Sequence, residues 1–298
     1  MADETTEELV LLARQGTIAV LTLNHAPVNV LNRQLLERLL VRLDEIEADP
    51  EARVVILASS APKAFAAGAD IREMAPMDSK AAHDHGSLGQ SVANRIERLP
   101  MPVIAAVHGA CLGGGCEIAL ACDFVVAAED AVFGQPEINL GVMPGWGGTQ
   151  RLVRRVGVAR ARRWIFTGES VSAARAASEG WVDVVVSRAD LGPTARKLAE
   201  QLASKSPVAL AAAKYSINQA VDRRLSDGLA YELGLWAKLF DTYDQKEGMR
   251  AFLEKRSFVS AAPRNWQLES RGFPWGGRTE RSRPTKGKAT RKRGKRKT

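Results

Sequence analysis

The sequence predicts an α/β fold built from crossover units and followed by an all-helical region. Two patterns carry this expectation. Short apolar runs alternate with helix-period segments up to about residue 190, and the β signal then disappears from about Leu191 to Arg256. Apolar residues make up 45% of the 298, ample for a buried core.

The first strand is read from Ile18 to Leu23, with a turn at His25-Ala26-Pro27-Val28. Asn32 then stands where an N-cap belongs, ahead of Leu36, Leu39, Leu40, Leu43 and Ile46 at helical spacing. Val54–Ala58 is a continuous apolar run, as expected of a strand covered on both faces, and a loop begins at Lys63. Val92, Ile96 and Leu99 line a helix that Pro100 and Pro102 end, and Val103–Val107 is the next strand. The cycle continues through a helix after Gly113, a strand Phe124–Ala127, a helical stretch from Gly148 into Val156, and a last strand Val182–Val186. Segments around Ala209–Ala220, Leu229–Leu239 and Met249–Arg256 read as helices. The expected organisation is an α/β core over 1–190, a helical region over 191–258 packed on the core or on another subunit, and a tail over 259–298. Within the tail, residues 261–277 lack periodicity.

Several function classes are excluded or confined. The longest apolar runs are far shorter than the roughly 20 residues of a membrane helix. The N-terminus Met1–Glu8 is acidic, with neither a secretory nor a transit pattern, so a cytoplasmic location is expected. Cys111, Cys116 and Cys122 are odd in number and form no CxxC pair, which predicts buried reduced thiols. His83 and His85 lie two apart with no ligand set around them, so no metal site is expected. The net charge of +8 is misleading: Arg278–Thr298 holds eleven Lys/Arg and one Glu, so residues 1–277 carry a slight negative charge. Nucleic-acid binding is therefore possible only through that tail, where Lys/Arg would meet phosphates and the nearby Trp266 and Trp275 would stack on bases. The alternative is an extension too polar and too charged to fold.

Chemistry concentrates in three glycine- and alanine-rich stretches. Gly113-Gly114-Gly115-Cys116-Glu117 leads from a strand and turn into an apolar helix, where unpaired N–H groups and a partial positive charge suit an oxyanion; tight helix packing is the plainer reason for the glycines. Glu117, in the first turn among apolar neighbours, is a candidate base with a pKa raised by burial, or else an ordinary helix-start acid. Glu137, in Phe133-Gly134-Gln135-Pro136-Glu137-Ile138, is a second such carboxylate. Lys63–Ile71 exposes its backbone N–H groups for a second donor or forms a plain strand-to-helix turn. Pro144-Gly145-Trp146-Gly147-Gly148 shapes a pocket wall or simply starts a helix.

Taken together, Lys63–Ile71, Gly113–Glu117 and Gly134–Gly148 resemble the crotonase superfamily, specifically its enoyl-CoA hydratases, over about residues 15–256. The resemblance implies a spiral of ββα units with a helical C-terminal region that builds homotrimers and homohexamers. It implies that Ala69 and Gly114 supply the two N–H groups of an oxyanion hole, and that Glu117 activates water while Glu137 delivers a proton to C2. Ala67, Asp70, Ile71 and Arg72 would lie around coenzyme A, Gly145 would border the acyl group, and Phe252 and Lys255 would reach coenzyme on a neighbouring subunit. The expected reaction is hydration of a 2-trans-enoyl-CoA to a 3-hydroxyacyl-CoA, the thioester being the substrate and no cofactor or metal being needed. Double-bond isomerisation and hydration of a branched acyl group are the same-class alternatives. The chain departs from the pattern after about Arg256, where such hydratases normally end within a few residues.

Overall fold

The structure is a computed structural model that describes residues 8–258, 260, 273 and 274. The basic segment Arg278–Thr298, on which the nucleic-acid reading rests, lies outside the described residues. The first half runs β1 (Val10–Gln15), β2 (Ile18–Leu23), α1 (Arg33–Ala48), β3 (Val54–Ser59), β4 (Ala64–Ala66), α2 (Ile71–Met74), α3 (Ser79–Arg98), β5 (Val103–Val107), β6 (Ala110–Leu112) and α4 (Gly114–Leu120). The second runs β7 (Phe124–Ala128), β8 (Val132–Gly134), a 3-10 turn (Pro136–Leu140), α5 (Gly148–Val156), α6 (Val158–Thr167), β9 (Val171–Ser172), α7 (Ala173–Ser178) and β10 (Val184–Val186). Four helices follow: α8 (Leu191–Ala203), α9 (Pro207–Ala220), α10 (Leu225–Leu239) and α11 (Tyr243–Leu253).

Six strands form one sheet in the order β1-β2-β3-β5-β7-β10, parallel except for the antiparallel β1–β2 pair. Its strands are covered on both faces, which is why they read as unbroken apolar runs. Leu21, Leu23, Val55, Leu57, Val103, Ala105 and Val125 face α1 and α3, whose Leu35, Leu39, Leu43, Val92 and Ile96 fill the main core. Ile18, Val54, Ile56, Ile104, Ala106 and Val126 face the other way, onto Leu191, Ala195 and Ala199 of α8. Helix α8 thus closes the far side of the sheet although it follows the last strand in sequence. Helix α1 begins where expected, because the Asn32 side chain accepts from the Leu35 N–H at 2.8 Å.

A second sheet, in the order β4-β6-β8-β9, was not foreseen from the sequence. Its strands have two or three residues each, too few for period-two alternation to register. The sequence reading also missed β1, and it began the last strand two residues before β10. The large-sheet strands β3, β5 and β7 are each followed by one of the small sheet and then a helix, β3-β4-α2/α3, β5-β6-α4 and β7-β8-3-10-α5, whereas β2 passes directly into α1. This is the repeating ββα unit. Gly109 makes one corner possible: its φ is +56°, and a Cβ there would stand 2.2 Å from the Lys63 carbonyl oxygen.

All three cysteines are buried and unbridged. His83 is exposed whereas His85 is buried on the inner face of α3, so the two side chains point apart. No group of His, Cys, Asp and Glu among the described residues could hold a metal ion, and no described helix is long and apolar enough to cross a membrane. Beyond α11, Phe273 is buried against the core with the Lys238 ammonium 5.8 Å from its ring centroid.

Candidate active site

The small sheet builds the site, because its parallel strands β4, β6 and β8 end side by side and each hands the chain to a loop or helix start. After β4, the backbone at Gly68 (φ +101°) turns against the end of β6: a Cβ on Gly68 would stand 3.3 Å from the Leu112 carbonyl and 3.9 Å from the Gly114 nitrogen. Leu31 bridges to Ala69 through Leu31 N–H to Gly68 O at 2.9 Å and Asp70 N–H to Leu31 O at 3.3 Å. In such a parallel bridge the central residue's own N–H points to the opposite side. Ala69 N–H therefore faces away from Leu31. Gly114 is the first residue of that helix, so its N–H has no intrahelical acceptor.

Each of the three glycines has its own steric reason. Gly113 adopts φ +50°, and a Cβ there would come within 3.2 Å of a Glu137 carboxylate oxygen. A Cβ on Gly114 would stand 2.3 Å from the Trp146 ring, and one on Gly115 would stand 2.4 Å from the Ala66 carbonyl. Close packing thus accounts for the glycines, and Gly114 stands at the helix start.

Glu117 lies one turn into α4 and is 2% exposed. Its Oε1 accepts from the Trp146 and Gly148 N–H groups, each at 2.7 Å. Both hydrogen bonds fall on the same carboxylate oxygen. Burial pushes its pKa up to about 7, against the two N–H donors and the Arg151 charge, which pull it down. Glu137 sits in the 3-10 turn that Pro136 opens. Burial also raises its pKa to about 7, and the charge on Glu117 adds to the rise. The buried Gln135 braces it: with its terminal amide oriented by this network, the nitrogen donates to Oε1 and Oε2 of Glu137 at 2.9 and 3.2 Å.

The other sequence-predicted residues fall in three groups. Asp70 caps α2, its side chain accepting from the Arg72 N–H at 2.8 Å, while Ile71 and Arg72 are exposed on that helix. Ala67 donates its N–H to Val28 O at 3.0 Å, and the exposed Gly145 accepts from Gln90 Nε2 at 2.9 Å, which ties the glycine loop to α3. Lys255 stands apart: it follows α11 in a left-handed turn at φ +53°, its N–H bonded to Phe252 O. Within one chain no hydrogen bond or ion pair among the described residues links it to the Glu117 cluster.

Sequence reasoning missed four participants. The Trp146 N–H reaches Glu117 from 29 residues away, and Gln135 acts on its near neighbour Glu137 through a side-chain orientation that local sequence does not fix. His85 is buried with its ring centroid 5.5 Å from that of Trp146, and neither ring nitrogen has a hydrogen-bond partner among the described residues. Arg151 did leave a signal, since it shares the buried face of α5 with Gly148, Leu152 and Val156. A charge on an apolar stripe asks for a partner.

Comparison with known proteins agrees with this geometry. A family model described as enoyl-CoA hydratase/isomerase matches residues 13–261. The chain belongs to the enoyl-CoA hydratase/isomerase family. It is 44% identical over 248 residues to the short-chain-enoyl-CoA hydratase of Clostridium acetobutylicum, spanning 83% of this chain and 95% of that one. It is 40% identical over 256 residues to the crotonyl-CoA hydratase of Syntrophomonas wolfei, spanning 85% and 98%. The crystal structure of an enoyl-CoA hydratase from Bacillus anthracis superposes with a TM-score of 0.82 at 38% identity, covering 86% of this chain and 100% of that one. For this family member the crotonase-like fold expected from the sequence is therefore the fold it has.

Proposed function

We propose that this protein hydrates a 2-trans-enoyl-CoA to the 3-hydroxyacyl-CoA, with Glu117 and Glu137 moving the protons and Ala69 and Gly114 forming the oxyanion hole. The observation that carries the reading is the pairing of two carboxylates, both raised to about 7, at the start of α4. Water loses a proton to Glu117 as its oxygen bonds to C3, and the C2–C3 π electrons move toward the thioester, placing negative charge on its oxygen. Two fixed N–H groups stabilise that charge without reorganising, each worth about 3 to 4 kcal/mol where it matters. The π pair then returns to C2, which takes a proton from Glu137. Addition of H and OH across one bond changes no overall oxidation level, so no redox cofactor enters. The names of the relatives favour a short acyl chain.

A panel of 2-enoyl-CoA thioesters of increasing length and branching, with a 3-enoyl thioester added, tests the reading through loss of the conjugated thioester absorbance and identification of the product. Hydration of short unbranched members is expected. No absorbance loss with any 2-enoyl thioester, or conversion of the 3-enoyl compound alone, overturns it.

The pH profile follows from the same pair. Glu117 must be ionised to act as base and Glu137 protonated to act as acid. Activity is therefore expected to fall on both sides of a maximum near pH 7, at apparent pKa values that belong to the coupled pair. A kcat/KM profile from pH 5 to 9 checks it; a plateau across that whole range is the contrary result.

Association into trimers or hexamers, which the resemblance implies, is supported by exposed apolar side chains near the end of α9, just after it, and at four-residue spacing along α10. Ile217, Val221, Leu225, Leu229 and Leu233 are all exposed, Leu225 at 79%. Leu229→Asp with Leu233→Asp is expected to shift the sedimentation coefficient toward that of a monomer. An unchanged coefficient excludes this face as the interface.

A further inference from the structure

Arg151 is buried behind the site, 8% exposed, and hydrogen-bonds to neither carboxylate. It rises from the first turn of α5 and folds back on the loop that precedes that helix. Its Nη1 donates to the Trp146 carbonyl at 3.1 Å. Nη2 donates to Asn94 Oδ1 at 2.7 Å and to Glu97 Oε2 at 2.8 Å, and Nε donates to the same Glu97 oxygen at 3.3 Å. The guanidinium thus joins α3 to the loop carbonyl in one plane, using the several fixed directions that a guanidinium has and an ammonium lacks.

The loop is held from both sides. Its Trp146 and Gly148 amides grip Glu117 Oε1, while the Trp146 carbonyl rests on the guanidinium. Gly147, between them, has φ +114°, and a Cβ there would stand 2.1 Å from Arg151 Nη1. The guanidinium fills the space beneath the loop's apex and leaves room for no side chain.

We infer that Arg151 is a positioning residue: it fixes the Trp146–Gly148 amides on Glu117 Oε1 and so keeps Oε2 aimed at the attacking water. The inference rests on the hydratase reading above. Its rival is a plain α3–α5 ion pair between Arg151 and Glu97 that contributes stability alone. The two differ in what they do to turnover. A misplacement on the order of 1 Å at a reacting group costs up to about a hundredfold in rate, with no corresponding loss of substrate binding.

The experiment compares full-length wild type, Arg151→Met, Arg151→Lys, Asn94→Ala and Glu117→Gln on one 2-enoyl-CoA. Arg151→Met is expected to lower kcat by about ten- to a hundredfold with KM changed by less than about threefold. Its acidic limb should move to higher pH, because the groups that act on Glu117 are then Glu137 from the 3-10 turn, Cys116 from its own helix and the loop amides, with the Arg151 charge removed. Arg151→Lys restores the charge without the planar fork, so it should recover the acidic limb and part of kcat. Asn94→Ala leaves the charge in place and loosens the guanidinium. It should lower kcat severalfold at unchanged KM, and it carries the test if Arg151→Met does not fold. Unchanged kcat in a folded Arg151→Met, or a melting temperature that falls while kcat and the pH profile stay put, overturns the inference. So does an Asn94→Ala with wild-type kcat where Arg151→Met cannot be folded. No turnover of any 2-enoyl-CoA by wild type would instead remove the hydratase reading itself, and full turnover in Glu117→Gln would remove Glu117 as the base and the inference with it; an inactive Glu117→Gln beside a fully active Arg151→Met would remove only the role of Arg151.

Discussion

Glu117→Gln is expected to lower kcat by at least about a hundredfold, the lower end of what a positioned general base contributes, while leaving the fold intact. The amide oxygen of Gln can still accept from the Trp146 and Gly148 N–H groups, both now at 2.7 Å from Glu117 Oε1, so the loop keeps its anchor. What is lost is the ability to take a proton from water. The same substitution has a second, opposite effect. The folded-state pKa of Glu117 stands at about 7, above the ordinary value of 4.5, so the native state binds the proton more tightly than the unfolded chain does. Wild-type stability therefore falls as pH rises from about 4.5 through 7 and then levels off, at a cost on the order of 3 kcal/mol. Gln carries no charge to desolvate. The variant is expected to melt higher than wild type at pH 8, with the difference vanishing near pH 4. Thermal melts at the two pH values alongside steady-state hydration check both halves. Retained turnover would end the claim that Glu117 is the base; an equal stability difference at both pH values would end the claim that its burial is costly.

Gly114→Ala is expected to be as damaging by a different route, about a hundred- to a thousandfold in kcat, the usual loss for one oxyanion donor. The added methyl would stand 2.3 Å from the Trp146 ring. Trp146 cannot retreat freely, because a Cβ on Gly89 would already lie 2.1 Å from the other side of its indole, which leaves the ring wedged between α3 and α4. The strain must be relieved by moving the start of α4, and that start carries both the Gly114 N–H and Glu117. Melting temperature, kcat and affinity for a saturated acyl-CoA separate the effects. A folded Gly114→Ala with near wild-type kcat would show that this N–H does not face the developing charge.

How much of this was legible in the sequence depended on the range of the interactions involved. The Asn32 cap, the proline stop after α3 and the apolar strands of the large sheet other than β1 are local or periodic, and they were found close to their true limits. So was α5, read from Gly148 into Val156 and observed as Gly148–Val156. The strands of the small sheet were invisible because two or three residues carry no period. Yet they set the ends of β4, β6 and β8 side by side, and so they bring Gly68, Gly113 and Glu137 together.

By itself, the sequence determined the chemical inventory: two carboxylates in apolar surroundings, two loops with bare amides, a core that alternates strand and helix, and a basic charge confined to the last residues. Residue type and short-range spacing suffice for these. Only the tertiary structure decided how the inventory is wired. It put two loop amides on one Glu117 oxygen, set the Gln135 amide against the Glu137 carboxylate, and turned Arg151 from a surface-looking arginine in a helix into a tie between α3 and the loop before α5. Trp146 and Gly148 lie 29 and 31 residues from Glu117, and Asn94 and Glu97 lie 57 and 54 from Arg151; a hydrogen bond formed across such a separation leaves no local period or propensity to read.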